Sequence, residues 1–449
     1  MKTPIYDFVQ NYIQSNTARF HMPGHKGTSF LGCEAGDITE IEGADVLYSP
    51  CGIIEESELN ATALFGTAHT FYSTEGSSLA IRAMLALVRE QSEEEPPLIL
   101  AARNAHKAFV YGCALLDLQV EWMYSAQSHH VCDATITPRQ LQARLAKQTK
   151  KPSAVYVTSP DYLGNVSDIA GLAAVCDAYD VPLLVDNAHG AYLGFLQESL
   201  HPIALGATLC CDSAHKTLPV LTGGAYLHVS PKAPRTYVEN ARKVLSVFAS
   251  TSPSYLILQS LDLCNPYIAG DYRDRLAECV RRVRDVKEHL QKRGFHIRNG
   301  EPLKIVIDAK MSGYLGSELA SVLKSQGIES EFSDPDFLVL MATPENDTSD
   351  FDRLKAAFES IKPRGPISRD IEPIGEPHTV LSLRQAVLSP SETIPLDDAV
   401  GRICAAPTVA CPPAVPIVIS GERITETHVR AMKYYGHEQI EVIKKTVCE

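Results

Sequence analysis

Two charged residues, Asp186 and Lys216, each follow a short apolar run and lie thirty positions apart. The run Val181–Val185 leads into Asp186, and the run Ala207–Cys211 leads into the segment that ends at Lys216. A lysine at a strand end can form a Schiff base with the aldehyde of pyridoxal phosphate, and a carboxylate can keep the pyridine nitrogen protonated, so that the ring accepts electrons. The motifs Asp-x-x-His and Ser-x-His-Lys, in this order and at this spacing, therefore predict a pyridoxal-phosphate site.

A candidate phosphate-binding loop, Ser73–Ser78, lies earlier in the chain, just before a predicted helix. Gly76 permits close approach of the backbone, the serine hydroxyls can donate, and a helix N-terminus favours negative charge. An N-cap in an ordinary turn is the alternative interpretation. Ser213 and His215 lie within one turn of the lysine, so we expect both to reach the same phosphate.

Three histidines, His106, His189 and His215, follow predicted strands. His106 is a candidate to lie flat on the pyridine ring, or else a capping or core histidine. His189 and His215 can contact the cofactor or substrate, or move a proton, because an unperturbed imidazole titrates near neutrality. A structural hydrogen-bonding role is the alternative for both.

Apolar runs alternate with helical patterns between residues 61 and 235. Alternating strands and helices predict a mostly parallel sheet covered by helices on both faces. Ligands bind such sheets beyond the carboxyl ends of the strands, where Asp186 and Lys216 lie. A smaller C-terminal α/β domain follows. We predict an N-terminal arm over residues 1–60, a cofactor-binding large domain over 61–262, a small α/β region over 263–365 and a C-terminal domain over 366–449.

The composition of the 449-residue chain is that of a globular protein, with 45% hydrophobic and 21% charged residues. A net charge of −13 argues against nucleic acid or an anionic membrane as a partner and is compatible with a cationic small substrate.

The twelve cysteines are scattered without a CxxC motif, which predicts reduced thiols in a cytoplasm. We expect no signal peptide, no transmembrane helix and no metal, since Pro23-Gly24 interrupts any helix that could align His21 and His25.

The chain resembles the pyridoxal-phosphate-dependent Orn/Lys/Arg decarboxylases of bacteria, in their short form, which share the fold of aspartate aminotransferase. The matching segments occur in family order over nearly the whole chain. They are Phe20–Gly27, Thr39–Asp45, Leu64–Gly66, Gly76–Ser78, Arg103–Lys107, Asp186–Gly190, Ser213–Pro219, Ser250–Tyr255 and the Pro-Pro loop Cys411–Glu422.

The resemblance implies decarboxylation of lysine, ornithine or arginine to the corresponding amine and CO2 by a lyase. Polyamine biosynthesis is the favoured role of that lyase, and acid resistance is the alternative. It implies Lys216 as the Schiff-base lysine, Asp186 as the partner of the ring nitrogen and His106 as the ring-stacking residue. The residues around the phosphate would be Gly76, Ser77, Ser78, Ser213 and His215. It also implies a homodimer or higher oligomer with the active site at the interface, which Thr251 or the arm would reach across.

The chain departs from the family pattern on the phosphate loop and on the substrate side, at Glu75, Asn187, Gly223, Cys411, Ala414 and Ser420. The cofactor anchors are kept. A cationic substrate side chain also needs a carboxylate, for which Glu422 and Asp45 are candidates, each with a structural role as the alternative.

Three other functions are weighed against decarboxylation. An aminotransferase or another lyase could use the same fold, although we find no arginine that clearly holds a substrate carboxylate in a bidentate fork. A non-catalytic family member is disfavoured by the intact Asp186 and Lys216. A dinucleotide-dependent dehydrogenase is disfavoured because no GxGxxG follows a strand.

Overall fold

The computed structural model describes residues 1–125, 130, 132, 134–362, 364–368, 377–407 and 415–445. The chain forms two compact units, each built from three segments. The first unit comprises Met1–Glu93, Leu141–Ser159 and Asp168–Arg275, and the second comprises Glu94–Gln140, Pro160–Ser167 and Leu276–Glu449. The domain boundaries at residues 60, 262 and 365 stay predictions.

The strands are β1 His69–Ser73, β2 Leu98–Ala102, β3 Gln119–Met123, β4 Ala154–Thr158, β5 Leu183–Asp186, β6 Leu209–Asp212, β7 Ala225–Val229, β8 His296–Arg298, β9 Lys304–Asp308, β10 Phe332–Ser333, β11 Phe337–Met341, β12 Ser391–Pro395 and β13 Gln439–Ile443. The helices are α1 Pro4–Gln14, α2 Ile53–Phe65, α3 Gly76–Glu90, α4 Lys107–Leu116, α5 Pro138–Leu145, α6 Ile169–Ala178, α7 Ala214–Thr217, α8 Arg235–Phe248, α9 Tyr255–Ala269, α10 Tyr272–Lys292, α11 Gly316–Ser325, α12 Thr348–Glu359, α13 Leu383–Val387 and α14 Glu426–Tyr434.

Five neighbouring strands of the first unit lie in the order β1-β7-β6-β5-β4. Strands β4, β5 and β6 are parallel, whereas β7 runs antiparallel to both β6 and β1. Every residue of β5 and β6 is buried, which explains why their sequences are continuous apolar runs without alternation. The predicted mostly parallel sheet is confirmed, and the carboxyl ends of β5 and β6 carry Asp186 and Asp212 along one edge.

The helices of the first unit cover this sheet and fix the N-terminal segment. Helix α3 packs against β6, β7 and α8, with an apolar face that includes Leu79 and Met84. Helix α1 packs on α2 and α9. The carboxylate of Asp262 in α9 accepts the N–H groups of Ile5 and Tyr6, both at 2.9 Å. Those N–H groups have no partner inside α1, so a residue more than 250 positions away caps the helix.

The second unit contains three separate sets of strands. Strands β2 and β3 form a parallel pair, and β10-β11-β9-β8 form an antiparallel sheet. Strands β12 and β13 pair antiparallel near the C-terminus, and a buried apolar cluster that includes Ile417, Met432 and Val442 forms the adjacent core. Strands β9 and β11 lie in the middle of the four-stranded antiparallel sheet. Among the described residues, no helix combines the length and apolar character needed to cross a membrane.

Candidate active site

Lys216 lies on the short helix α7, directly after β6, and is half-buried. Its Nζ is 3.1 Å from Nε2 of His189, which lies on the loop after β5 and is almost fully buried. The structure therefore brings together the two residues that the sequence analysis placed after neighbouring strands. An amine and an imidazole at this distance can share or pass a proton.

Asp186 is the last residue of β5, and its side chain is held by three donors. The Tyr156 hydroxyl donates to Oδ2 at 3.1 Å, and the Ala188 N–H donates to Oδ1 at 3.2 Å. The Cys211 thiol also approaches Oδ1, at 3.6 Å. The sequence analysis did not include Tyr156, although a tyrosine in the otherwise apolar strand β4 is a signal that could have suggested it. A carboxylate has acceptor capacity beyond these three bonds, so Asp186 can accept one more donor.

The loop before α3 has the features of an anion site. Glu75 is the N-cap residue, yet its side chain caps no N–H of the helix and instead accepts the N–H of Ser250 at 2.6 Å. Uncapped N–H groups in the first turn of a helix bind anions. The Ser213 hydroxyl donates to Ser77 Oγ at 2.8 Å, which brings the two predicted phosphate contacts together, and Ser78 is half-buried beside them. These groups fit a phosphate better than the alternative of an ordinary capped turn.

The His215 ring is held by a hydrogen bond to the backbone, the structural role considered as an alternative. Its Nδ1 lies 2.9 Å from the Gly224 carbonyl oxygen, so the ring donates its Nδ1 proton to that oxygen. Burial lowers the pKa of His215, and the neighbouring Lys216 charge lowers it further. The neutral ring then has an acceptor at Nε2.

Gly223, which departs from the family pattern, holds the phosphate loop by its backbone. Its carbonyl oxygen accepts the N–H of Gly76 at 2.7 Å. Its φ angle is +101°, and a Cβ at this position would lie 2.9 Å from the Thr74 carbonyl oxygen. Both the left-handed backbone and the close approach require glycine here.

The substitution Gly223→Gln is therefore expected to destabilise the loop by about 2–3 kcal/mol and to weaken pyridoxal-phosphate binding about tenfold. Thermal unfolding and cofactor titration measure the two effects. Gly66→Gln is the matched control, because Gly66 has φ +65° but no atom within 4 Å of the added Cβ. We expect the control to lose about 1 kcal/mol of stability and no cofactor affinity. Equal cofactor affinity in Gly223→Gln and wild type would contradict this account.

His106, in the second unit, is the N-cap residue of α4. Its Nδ1 accepts the Ala108 N–H at 3.1 Å, so the neutral ring carries its proton on Nε2. The structure thus gives His106 the capping contact considered as an alternative, and its ring-stacking role stays a prediction. Thr251, in the first unit, is exposed on the loop before α9, and its contact across an interface also stays a prediction.

Asp45, a candidate for binding a cationic substrate, is instead used by the fold. Its two carboxylate oxygens accept four backbone N–H groups at 2.9–3.0 Å, from Val46, Cys51, Gly52 and Ile54. The side chain thereby fixes the turn that leads into α2. The structure thus gives Asp45 the structural role considered as the alternative.

Glu422, the other candidate, is paired with a cation of its own chain. Its Oε2 accepts Nη2 of Arg103 at 2.9 Å and the N–H of Ile419 at 2.8 Å. Burial raises the pKa of Glu422, and the Arg103 guanidinium opposes that rise. The pair joins the C-terminal segment to the loop that carries His106. Of the remaining departures, Ser420 is buried, and Cys411 and Ala414 lie outside the described residues.

The two histidines of the arm have separate partners. His21 Nε2 lies 2.6 Å from the Tyr12 hydroxyl, and His25 Nε2 lies 3.2 Å from Asp37 Oδ2. Their rings are therefore committed to different contacts within the arm.

Comparison with known proteins covers nearly the whole chain. The family model described as Orn/Lys/Arg decarboxylase, major domain, matches residues 3–313, and the model of the C-terminal domain of the same family matches residues 368–442. An arginine decarboxylase of Bacillus anthracis is 28% identical over 96% of this chain and 92% of its own length. An arginine decarboxylase of Bacillus subtilis is 28% identical over 95% of this chain and 92% of its own length.

Solved structures share the fold. The Francisella novicida lysine decarboxylase LdcF superposes with a TM-score of 0.80 at 17% identity, covering 98% of this chain and 81% of that one. The constitutive lysine decarboxylase of E. coli gives a TM-score of 0.77 at 17% identity, covering 99% and 82%. A serine palmitoyltransferase of Sphingomonas wittichii gives 0.57 at 14% identity, covering 80% and 83%.

Proposed function

The chain belongs to the Orn/Lys/Arg decarboxylase family, and we propose that its substrate within that family is arginine. It is a pyridoxal-phosphate-dependent decarboxylase that converts a basic amino acid to the corresponding amine and CO2. The observation that carries the choice of arginine is the similarity to arginine decarboxylases over at least 92% of their length. The lysine decarboxylases with similar structures are only 16–17% identical, so they support the fold and not the substrate.

We propose that the cofactor is held mainly by residues of the first unit. Lys216 supplies the amine that attaches it, and Asp186 supplies the acceptor for the ring nitrogen. Gly76, Ser77, Ser78, Ser213 and His215 surround the phosphate, while His106 stacks on the ring and Thr251 reaches the site of a neighbouring subunit. The uncapped start of α3, the Ser213–Ser77 hydrogen bond and the remaining acceptor capacity of Asp186 support this assignment.

When bound, pyridoxal phosphate accepts the electron pair that remains on the α-carbon after CO2 leaves. The chain's own residues orient the bound groups and supply protons to them. Asp186 holds a proton on the ring nitrogen, and its bonds from Tyr156 and Ala188 keep the carboxylate in one orientation. Lys216 Nζ and His189 Nε2, 3.1 Å apart, hold the proton that the α-carbon takes up. Burial shields the His189 ring from bulk water, whereas Lys216 is half-buried.

A competition assay tests the substrate. The purified protein is loaded with pyridoxal phosphate and incubated with equimolar arginine, lysine and ornithine, and the amines are identified by mass spectrometry. We expect agmatine as the dominant product. If cadaverine or putrescine were dominant, the substrate would be lysine or ornithine and not arginine. Keto acids without amines would contradict decarboxylation itself.

We propose that the protein acts as a homodimer with the active site at the interface. The arm presents large apolar side chains to solvent in the single chain, since Phe20 is 96% exposed and Leu31 is 89% exposed. The Glu34 carboxylate accepts the N–H groups of Phe30 and Gly32, both at 2.9 Å, so the loop is held in this exposed conformation. An ordered apolar surface supports burial against a second copy. Analytical ultracentrifugation would give the mass of the assembly.

We further propose a cytoplasmic role in polyamine biosynthesis. The described cysteines are all free, and most of them are buried, which suits a reducing compartment. An amine made by decarboxylation of a basic amino acid is the chemical starting point of polyamines.

A further inference from the structure

Asp212, the last residue of β6, is a fully buried carboxylate that no part of the proposed mechanism uses. Its Oδ1 accepts Nδ2 of Asn187 at 2.7 Å. Its Oδ2 accepts Nε2 of His201 at 3.0 Å and Nε2 of His228 at 3.1 Å. We name these four residues, Asp212, Asn187, His201 and His228, the Asp212 cluster. All four are at most 2% exposed.

The Asp212 cluster is bonded directly to the two chain segments that carry the cofactor residues. Asn187 follows Asp186, and Asp212 precedes Ser213, so one side-chain hydrogen bond joins the ends of β5 and β6. The backbone makes a second link, since the Asn187 N–H donates to the Cys211 carbonyl oxygen at 3.0 Å. Movement at Asp212 would therefore change the position of Asp186 relative to Lys216.

The Asp212 side chain also carries negative charge. Burial alone would raise the pKa of Asp212, but His201 and His228 together hold it well below the usual range. Burial lowers the pKa of His228, which favours its neutral ring. On the other side, His201 Nδ1 accepts the Ile203 N–H at 3.4 Å, which leaves the ring proton on Nε2, facing Asp212.

Three further ionisable groups near Asp212 add no charge of their own. The Cys210 thiol approaches Asp212 Oδ1 at 3.7 Å, and burial raises the pKa values of Cys210, Cys211 and Tyr226, so all three are neutral. Asp186 and Asp212 then place two carboxylates at adjacent strand ends. Nearby negative charge favours the protonated form of a base.

We propose that Asp212 is a positioning residue for the cofactor site, which fixes Asp186 relative to Lys216 through Asn187 and adds a second negative charge that favours a protonated ring nitrogen. This inference rests on the proposed function only for the identity of the cofactor. A cluster that served stability alone would affect unfolding but not the properties of the bound cofactor.

The test compares Asp212→Asn with Asp262→Asn. Asp262 is also buried in the first unit and accepts hydrogen bonds from backbone N–H groups and from Ser57, but it lies in α9 and touches no cofactor residue. We expect Asp212→Asn to bind pyridoxal phosphate about tenfold more weakly or worse. We also expect the visible absorbance of the bound cofactor to titrate at lower pH. Asp262→Asn is expected to unfold more readily with both cofactor properties unchanged.

A compensating variant separates positioning from a general loss of packing. In the double variant Asn187→Asp, Asp212→Asn, the amide at 212 donates to a carboxylate at 187. The hydrogen bond is therefore restored in the opposite direction, and the buried negative charge is restored at position 187. We expect it to recover most of the cofactor affinity lost in Asp212→Asn. If Asp212→Asn fails to fold, His201→Leu and His201→Gln provide the comparison, since glutamine keeps a donor where leucine does not. We then expect weaker cofactor binding in His201→Leu than in His201→Gln.

Folded Asp212→Asn with wild-type cofactor affinity and an unshifted absorbance titration would overturn the proposal. If Asp212→Asn does not fold, equal cofactor affinity in His201→Leu and His201→Gln would overturn the proposal. Neither readout uses a substrate, so a wild-type protein that binds pyridoxal phosphate but decarboxylates no basic amino acid would refute the proposed function while leaving this inference standing.

Discussion

Replacement of Lys216 by alanine is expected to lower the decarboxylation rate by at least about 10⁴-fold. Proton transfer by a positioned side chain contributes about 10²–10⁴-fold by itself, and Lys216 would also provide the covalent attachment of the cofactor. Amine production at saturating pyridoxal phosphate, followed by mass spectrometry, measures the loss. His189, 3.1 Å from the lysine, cannot replace the attachment even if it still holds a proton.

The matched control for this variant is Lys151→Ala. Lys151 belongs to the same unit, but its side chain is 56% exposed and pairs with the exposed Asp180. An exposed ion pair of this kind contributes about 0–1 kcal/mol, so the control should keep full activity and nearly full stability. Retention of a tenth of the wild-type activity in Lys216→Ala would rule out the assigned role of the lysine.

Replacement of Asp186 by asparagine is expected to lower kcat by about 10²–10³-fold, the range seen when one electrostatic contact to a developing charge is removed. The amide keeps the shape and one acceptor oxygen for the Tyr156 hydroxyl or the Ala188 N–H. It lacks the charge that would keep the ring nitrogen protonated. Steady-state kinetics at saturating cofactor, together with the absorbance of bound cofactor, would show the effect.

Asp168→Asn makes the same chemical change away from the site. Asp168 is exposed and caps α6 by accepting the Gly171 N–H at 2.9 Å, a role that asparagine performs almost equally well. We expect neither kcat nor stability to change in this control. An Asp186→Asn enzyme with kcat within a factor of about three of wild type would show that the charge is not required.

The elements around Asp186 and Lys216 could be predicted from sequence because their signals are local. Strands buried on both faces read as short apolar runs, and parallel strands expose their polar ends at one edge. The predicted runs Val181–Val185 and Ala207–Cys211 differ from β5 and β6 by two residues at most. The glycine and serines at the start of α3 could be identified in a similar way, since a helix N-terminus has a recognisable composition.

The contacts of the polar side chains could not be predicted in this way. Asp45 has the residue type of a cation ligand, but its four N–H donors come from a turn whose conformation the sequence does not display. The partners of Asp212 lie 11 to 25 positions away, and the partner of Arg103 lies 319 positions away. Such pairs form only when separate elements pack, so the periodicity and spacing of residues in the sequence do not predict them.

The Arg103–Glu422 pair can form only late in the synthesis of the chain. The guanidinium stays half-buried over the Trp122 ring, and its carboxylate partner is translated 319 residues later. At an elongation rate of about 5–20 residues per second, the ribosome reaches Glu422 about 16–64 s after Arg103. Throughout that interval the nascent loop that carries His106 lacks its counter-ion. The loop therefore cannot make this contact until translation is nearly complete.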